Sequence, residues 1–175
     1  MSNKTIGILM PGDMGHGCGI IFLENNFRVV TCLNNRSNRT KKLSDNAGIE
    51  NVQTIENVVN FSDIILSILP PEAALEQSSI VNKIILEKKK YLTYVDCNAV
   101  SPKTAEKINT AISSEYCNFI DAGIIGFNPI IEKGQTRLYV SGPNTKPIKI
   151  LHNKGFIIKD LGKEIGRASG MKMIY

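Results

Sequence analysis

Short apolar runs alternate with helix-compatible segments along nearly the whole chain, and this alternation limits the fold more than any other feature. Thr5–Met10, Arg28–Leu33, Ile64–Leu69 and Tyr91–Cys97 are rich in β-branched and aliphatic residues. Ile64–Leu69 (I-I-L-S-I-L) is almost wholly apolar, as expected of a strand covered on both faces. Between these runs lie Met14–Asn25, Arg39–Asn46, Ile55–Phe61, Glu72–Lys89 and a segment from Pro102 to about Glu115, all expected to be helical. Gly48 closes the second of these, Thr54 and Ser101 stand at N-cap positions, and Pro71 and Pro102 sit where a helix start tolerates proline. Val52-Gln53 reads as a brief third strand; Phe119–Ala122, Arg137–Ser141 and Phe156–Leu161 read as later strands, and Pro147–Asn153 as helical. The pattern predicts an α/β fold with a doubly wound, mostly parallel sheet and helices on both faces. Ligands of such sheets bind at the carboxyl ends of the strands. The ends that matter therefore follow Met10, Leu33, Leu69, Cys97 and Ala122.

Composition narrows the function classes. A chain of 175 residues with 42% hydrophobic and 21% charged residues suits one domain with a real core. No apolar run approaches the roughly 18 residues that cross a bilayer. The N-terminus does not read as a signal peptide, because only Lys4 precedes a short apolar strand that glycines and Asp13 soon interrupt. A cytoplasmic protein with no membrane partner is the expectation. Cys18, Cys32, Cys97 and Cys117 show no metal-ligand spacing, so they read as buried packing thiols, and no metal site is expected. The net charge of +5 comes from scattered lysines. Its densest run, Lys88-Lys89-Lys90, falls at a helix C-terminus, where cations offset the helix dipole. Without aromatic interleaving, it does not suggest a nucleic-acid partner. A basic balance also suits a ligand that carries several phosphates.

The first strand runs directly into Pro11-Gly12-Asp13-Met14-Gly15 and then a helix. A glycine-bearing turn there is where α/β proteins hold a dinucleotide pyrophosphate. Gly12 lets backbone approach the phosphates, and Gly15 lets helix pack on strand. In the G-x-G-x-x-G frame, Met10 occupies the first glycine position; as the residue before Pro11 it is expected to be extended. His16 reads as a surface histidine. A plain strand-to-helix connection would look similar, so the turn needs support from elsewhere.

The second strand end gives that support. Sites for NAD carry an acidic residue about 20 positions beyond the glycines, bound to the ribose 2′-hydroxyl. Here the segment is Asn34-Asn35-Arg36-Ser37, with Arg39 and Lys41 close by and no acid to repel a phosphate. Arg36 can hold a 2′-phosphate through charge-assisted hydrogen bonds. This favours NADP over NAD as cofactor.

With these residues in view, the chain resembles the NADP-binding domain of the β-hydroxyacid dehydrogenases, the 6-phosphogluconate and 3-hydroxyisobutyrate dehydrogenase family, with its Rossmann-type fold. The resemblance is carried by Ile8–Gly15, Asn35–Ser37, Ser67–Pro70, Asp96–Pro102, Asp121–Gly126 and Gly170–Lys172. It implies that Pro11, Gly12, Asp13 and Met14 line the pyrophosphate turn. Asn35, Arg36 and Ser37 match the family's N-R-T at the adenosine 2′-phosphate. Leu69 and Pro70 would lie by the ribose and nicotinamide, and the stretch from Asn98 to Ser101 would border nicotinamide and substrate. Lys172 matches the family's catalytic lysine, which must exchange a proton with the substrate hydroxyl while hydride leaves or arrives at the carbon. Burial and nearby positive charge must lower its proton affinity for that task.

The chain departs from the family pattern at three places. Asn98-Ala99 replaces the usual serine-threonine, and Ile125-Gly126-Phe127 replaces the serine-glycine-glycine of the substrate loop, which puts the usual hydroxy-acid substrates in doubt. The sequence looks closer to a phosphogluconate-dehydrogenase-like branch. It also ends three residues after Lys172, before the all-helical domain that closes the site and dimerises in the family. Residues 1–161 are thus expected to form the NAD(P)-binding domain and 162–175 the start of an interdomain helix. The full-length protein would be a homodimer acting on a small hydroxy acid, whereas this chain alone would bind cofactor with little or no turnover. An imine reductase using NADPH, or a non-catalytic dinucleotide-binding module, remain as alternatives.

Overall fold

The computed structural model describes residues 4–131 and 134–175. Eight strands form one sheet: β1 (Thr5–Leu9), β2 (Arg28–Thr31), β3 (Glu50–Asn51), β4 (Ile64–Ser67), β5 (Leu92–Asp96), β6 (Cys117–Ile125), β7 (Arg137–Ser141) and β8 (Ile157–Asp160). Among the described residues, six α-helices connect or flank them: α1 (Asp13–Glu24), α2 (Asn38–Ala47), α3 (Ile55–Phe61), α4 (Ala74–Lys88), α5 (Pro102–Ile112) and α6 (Arg167–Ile174). The spatial order is β3-β2-β1-β4-β5-β6-β7-β8. Every pair is parallel except β6 with β7.

The expected Rossmann-like α/β architecture is present. One core joins Ile6, Ile8, Leu66 and Val95 of the sheet to Cys18 and Phe22 of α1. The other joins Leu9, Ile65 and Tyr94 to Val58 and Val59 of α3, Val81 and Ile85 of α4, and Ile108 and Ile112 of α5. The alternation of side chains along each strand divides the two cores, because successive residues point to opposite faces. Burial of Ile64, Ile65, Leu66 and Ser67 alike explains why β4 shows no polar alternation.

Local signals place the helix ends. Ser37, Thr54 and Ser101 each accept a hydrogen bond from the backbone N–H three residues on, as N-caps do. Gly48 ends α2 in the left-handed conformation, φ 75°. Expected boundaries differ where tertiary pairing decides them. The third strand is Glu50–Asn51, paired with Val30 and Thr31, and not Val52-Gln53; Gln53 has φ 70° and leaves the sheet. Pro71–Ala73 is a 3-10 turn ahead of α4, and Lys146–Leu151 is a 3-10 helix. β6 extends past Phe119–Ala122 in both directions, because parallel β5 pairs with it back to Cys117 and antiparallel β7 pairs with it as far as Ile125.

The topology reverses at β1, which pairs with β2 on one side and β4 on the other. Connections leave the sheet there in opposite directions, which opens a crevice above the carboxyl ends.

Candidate functional site

The turn after β1 is tight. Gly12 N–H donates to the Met10 carbonyl at 2.8 Å, and Met10 takes φ 62°. The extended Met10 expected from its place before Pro11 is therefore corrected: closing this turn outweighs the pre-proline preference. Met10 occupies the first glycine position because it adopts the left-handed backbone that glycine adopts without strain. Gly15 packs beneath the same carbonyl, where a Cβ would stand 2.9 Å from the oxygen.

Gly12 is the N-cap of α1 and brings no side-chain acceptor, so the helix start keeps amides available to an anion. A Cβ at Gly12 would meet nothing within 4 Å, so the space above the turn is open. Pro11 is buried and Met14 half-buried, while Asp13 is exposed and ion-paired with Arg39. Hydrogen bonding from Arg39 holds the Asp13 carboxyl below its ordinary range. His16 is half-buried, and its Nδ1 donates to the Gly12 carbonyl at 2.8 Å, so the ring braces the turn.

Beyond β2, Asn34, Asn35 and Arg36 line a cavity of about 400 Å³ together with Cys32, Thr54, Ile55 and Gln77. Asn35 has φ 59°, a left-handed conformation that asparagine tolerates. Two donors on these lining residues, Arg36 Nε and Gln77 Nε2, are buried and have no hydrogen-bond partner among the described residues. Orphaned buried donors cost about 1–3 kcal/mol each, so the cavity suits a ligand rich in acceptors. Phosphate and adenine both qualify, and the residues present fit the adenosine end of a nicotinamide dinucleotide. Ser37 is committed to capping α2 through Thr40 N–H. Gln77 was not marked by the sequence, since a glutamine on a helix carries no signal of what it faces.

The ends of β4 and β5 are tied together by Asn98. Its Oδ1 accepts Leu69 N–H at 2.6 Å, and its Nδ2 donates to Ser67 Oγ at 3.0 Å and to the Asp96 carboxylate. The Asn98 amide is thus engaged within the protein and holds Leu69 and Pro70 at the crevice edge. Leu69 is buried and Pro70 exposed. Ser101 Oγ caps α5 through Thr104 N–H at 3.2 Å. Lys172, on α6, reaches back to donate from Nζ to the Cys97 carbonyl at 2.9 Å. Burial alone lowers its proton affinity below that of an ordinary lysine; in place of the expected positive charge, Cys97 and Asp96 stand nearby and pull the other way.

Asp96 and Asp121 stand directly opposite one another on β5 and β6, flanked in register by Ser67 and Ser141. All four are fully buried. Burial pushes the Asp96 carboxyl up to about 7, and the facing Asp121 carboxylate adds to the shift; the Asn98 amide and Lys172 oppose it. Asp96 Oδ2 has no hydrogen-bond partner among the described residues. A lone acid inside an apolar run, as in Val95-Asp96-Cys97 and Ile120-Asp121-Ala122, is a sequence signal that could have marked this pair.

Ile125 lies in β6 itself, buried, four residues beyond the level of Asp96 and Asp121. The substrate-loop position therefore falls on a projecting strand, because β7 extends the pairing. Gly126 follows with φ 121°, exposed. The chain then returns over α1, where Asn128 Nδ2 donates to the Asp13 carbonyl in the room that Gly17 leaves. The structure thus brings the Pro11–Met14 turn, Leu69, Pro70, Asn98 and Lys172 to one carboxyl edge, with Asn35 and Arg36 at its β2 end. Among the described residues, no group of three or more His, Cys, Asp or Glu could hold a metal, and no helix is long and apolar enough to cross a membrane.

Comparison with known proteins agrees with this geometry. The chain is 33% identical over 153 residues to an uncharacterized 28.5 kDa protein in the 7S RNA 5′ region of Methanothermus fervidus, covering 87% of this chain and 57% of that one. It superimposes with a TM-score of 0.85 on a conserved protein of unknown function described as structurally similar to 3-hydroxyacid dehydrogenases, at 25% identity, over 97% of this chain and 62% of that one. A reductive aminase from Aspergillus terreus, in complex with NADPH4, cyclohexanone and allyl amine, shares the fold with a TM-score of 0.82 at 19% identity, over 99% of this chain and 59% of that one. The chain thus spans about three fifths of the length of these proteins. The family model of the NAD binding domain of 6-phosphogluconate dehydrogenase matches residues 5–164, the strands, the glycine turn and the crevice just described, and the chain belongs to that family.

Proposed function

We propose that this chain is the cofactor-binding part of an NADP-dependent oxidoreductase that moves hydride between NADP and a small hydroxy acid. The observation that carries the reading is the placement of Lys172. It hangs over the end of β5, on the same edge as the open pyrophosphate turn, with burial lowering its proton affinity. Residues 1–161 serve as the dinucleotide domain, and 162–175 begin a helix towards a further, dimerising domain.

The chemistry divides among these residues. The first-turn amides of α1 hold the pyrophosphate, and Arg36 holds the 2′-phosphate with an Nε that the protein leaves unpaired. Leu69 and Pro70, fixed through Asn98, wall the nicotinamide side. When bound, the nicotinamide supplies or receives the hydride. Lys172 takes the hydroxyl proton during oxidation and returns it during reduction. Ser101, Ile125 and Gly126 border the substrate; the Ser101 hydroxyl caps α5, and Ile125 and Gly126 stand where the family's substrate loop has a serine, so the acid's carboxylate needs donors from elsewhere.

Transfer of hydride to an imine is the second reading. The likeness to a reductive aminase favours it, because an imine needs no carboxylate-binding serine. The test is a screen of the full-length protein with NADPH and NADP against hydroxy acids, keto acids and imines, with Lys172→Ala in parallel. Turnover of hydroxy acids that collapses in the variant is the expected result. Turnover confined to imines moves the assignment to the second reading. No turnover on either class, with NADPH still bound, identifies a non-catalytic dinucleotide-binding module.

A further inference from the structure

Asp121 sits midway along β6, fully buried, with its side chain on the face where α6 packs. Its Oδ2 accepts the backbone N–H groups of Gly166 at 2.9 Å, Ala168 at 3.0 Å and Ser169 at 3.1 Å, and the Ser141 hydroxyl at 3.0 Å. The Ser169 hydroxyl donates to Oδ1. First-turn amides of a helix have no intrahelical acceptor and normally take one from the residue just ahead. Here that residue is Gly166, which has φ 93° and no side chain to offer. The acceptor instead comes from a strand 45 residues earlier in the chain. A carboxylate at a helix N-terminus is also favoured by the helix dipole.

Two residues on, and on the same face of β6, Gly123 lies under the other end of the contact. A Cβ at Gly123 would stand 3.0 Å from Lys172 Cβ and 3.0 Å from the Ala168 carbonyl. Asp121 therefore pins the start of α6 while Gly123 lets its next turn lie flat on the strand. From that helix the Lys172 side chain crosses to the Cys97 carbonyl.

We infer that Asp121 is the positioning residue for Lys172, capping α6 from the sheet so that the ammonium is held over the end of β5. This rests on the role proposed for Lys172, since a positioned lysine matters to the reaction only if it carries the proton. Asp121 touches neither substrate nor cofactor in this scheme. Its effect passes through the helix: a frayed α6 would expose Lys172 to water and remove the burial that lowers its proton affinity.

The experiment uses the chain as it stands. Amide hydrogen exchange in the wild type reads the Ala168 and Ser169 N–H groups directly, and protection like that of the core strands is expected. Exchange as fast as that of exposed first-turn amides overturns the inference without any variant. Asp121→Asn, with Ser169→Ala as a milder change should the first fail to fold, then tests the consequence. Lys172 titration, followed by NMR of its labelled side chain, is expected to rise towards that of free lysine, while NADPH affinity stays within about twofold, because the turn and the Arg36 cavity lie on other elements. An unchanged Lys172 titration in a folded variant overturns the inference. If the titration moves as expected but Lys172→Ala leaves turnover of the full-length protein intact, the positioning role of Asp121 stands and the acid-base role of Lys172 fails.

Discussion

Gly15 lies against the carbonyl of Met10, whose oxygen a Cβ at position 15 would approach to 2.9 Å. Met10 itself holds φ 62°, so the turn combines one residue that must be small with one that bears backbone strain. Gly15→Ala is expected to cost about 1–3 kcal/mol, the usual range for overpacking against atoms that cannot yield. It should also weaken NADPH binding by shifting the α1 amides. Met10→Gly relieves the strain but removes a half-buried side chain packed against the second core, so it is expected to cost about 1–2 kcal/mol, less than the loss of a fully buried methionine. Urea unfolding and NADPH fluorescence titration of the two variants measure both effects.

The cavity beyond β2 should discriminate between cofactors. Arg36→Ala removes a charged donor from the 2′-phosphate, and hydrogen bonds to charged groups are worth about 1.5–3 kcal/mol. NADPH affinity is expected to fall at least roughly tenfold, with NADH affinity little changed. Fluorescence titration with both cofactors checks this. Equal losses, or tighter NADH binding by the wild type, would count against the 2′-phosphate assignment.

Asp96 should leave a mark on stability against pH. Its carboxyl is raised from 3.8 to about 7, so the folded chain binds this proton more tightly than the unfolded chain. The contribution is fully present below the ordinary carboxylate range and is lost as pH rises towards 7. The slope within that window is about 1.4 kcal/mol per pH unit. Asp96→Asn is expected to flatten the fall between pH 5 and pH 7 relative to the wild type. Differences between the two proteins cancel the opposite effect of Asp13, Glu50, Asp63 and Asp160, whose carboxyls are held low. Denaturant midpoints at a series of pH values give the comparison.

The thiols are expected to be inert while the chain is folded. Burial pushes Cys18 up to about 12 and Cys97 well above its ordinary value; Cys117, expected to be buried, is half-buried and is still pushed up to about 12. Cys32 is buried, with its Sγ donating to the Gln53 carbonyl at 3.1 Å. At pH 8 a thiol reagent should label almost nothing until denaturant is added, since the thiolate is the reactive form. Rapid labelling of any cysteine in the native protein would contradict the packing role.

The residues that were legible in the sequence are those whose behaviour is local. Ser37, Thr54 and Ser101 cap their helices as read, Gly48 closes α2, and the apolar run of β4 is covered on both faces. What the sequence hid depends on partners far along the chain. The reach of β6 to Ile125 comes from Arg137, the register of β3 from Val30 and Thr31, and the exposure of Gln77 to the Arg36 cavity from the way α4 crosses the sheet. Met10 departs from its sequence preference for a related reason, because a preference set by one neighbour yields to a turn closed by Gly12 and Gly15. Within the candidate site, residue types mark the turn and Arg36, but the Asn98 amide is spent on Leu69 and Ser67 through contacts about 30 residues apart that no local pattern encodes.

The ends of the sheet also bear on how copies of this chain behave in a crowd. An unpaired strand edge can recruit a strand from another molecule. At one border, β3 is only two residues long, and its Glu50 is ion-paired with Arg28. At the other, β8 exposes Lys159 and Asp160, and Asp160 is occupied by Thr145 Oγ1 and Gly162 N–H. A short border and a charged one are both poor templates, so growth of the sheet from molecule to molecule is disfavoured at each end.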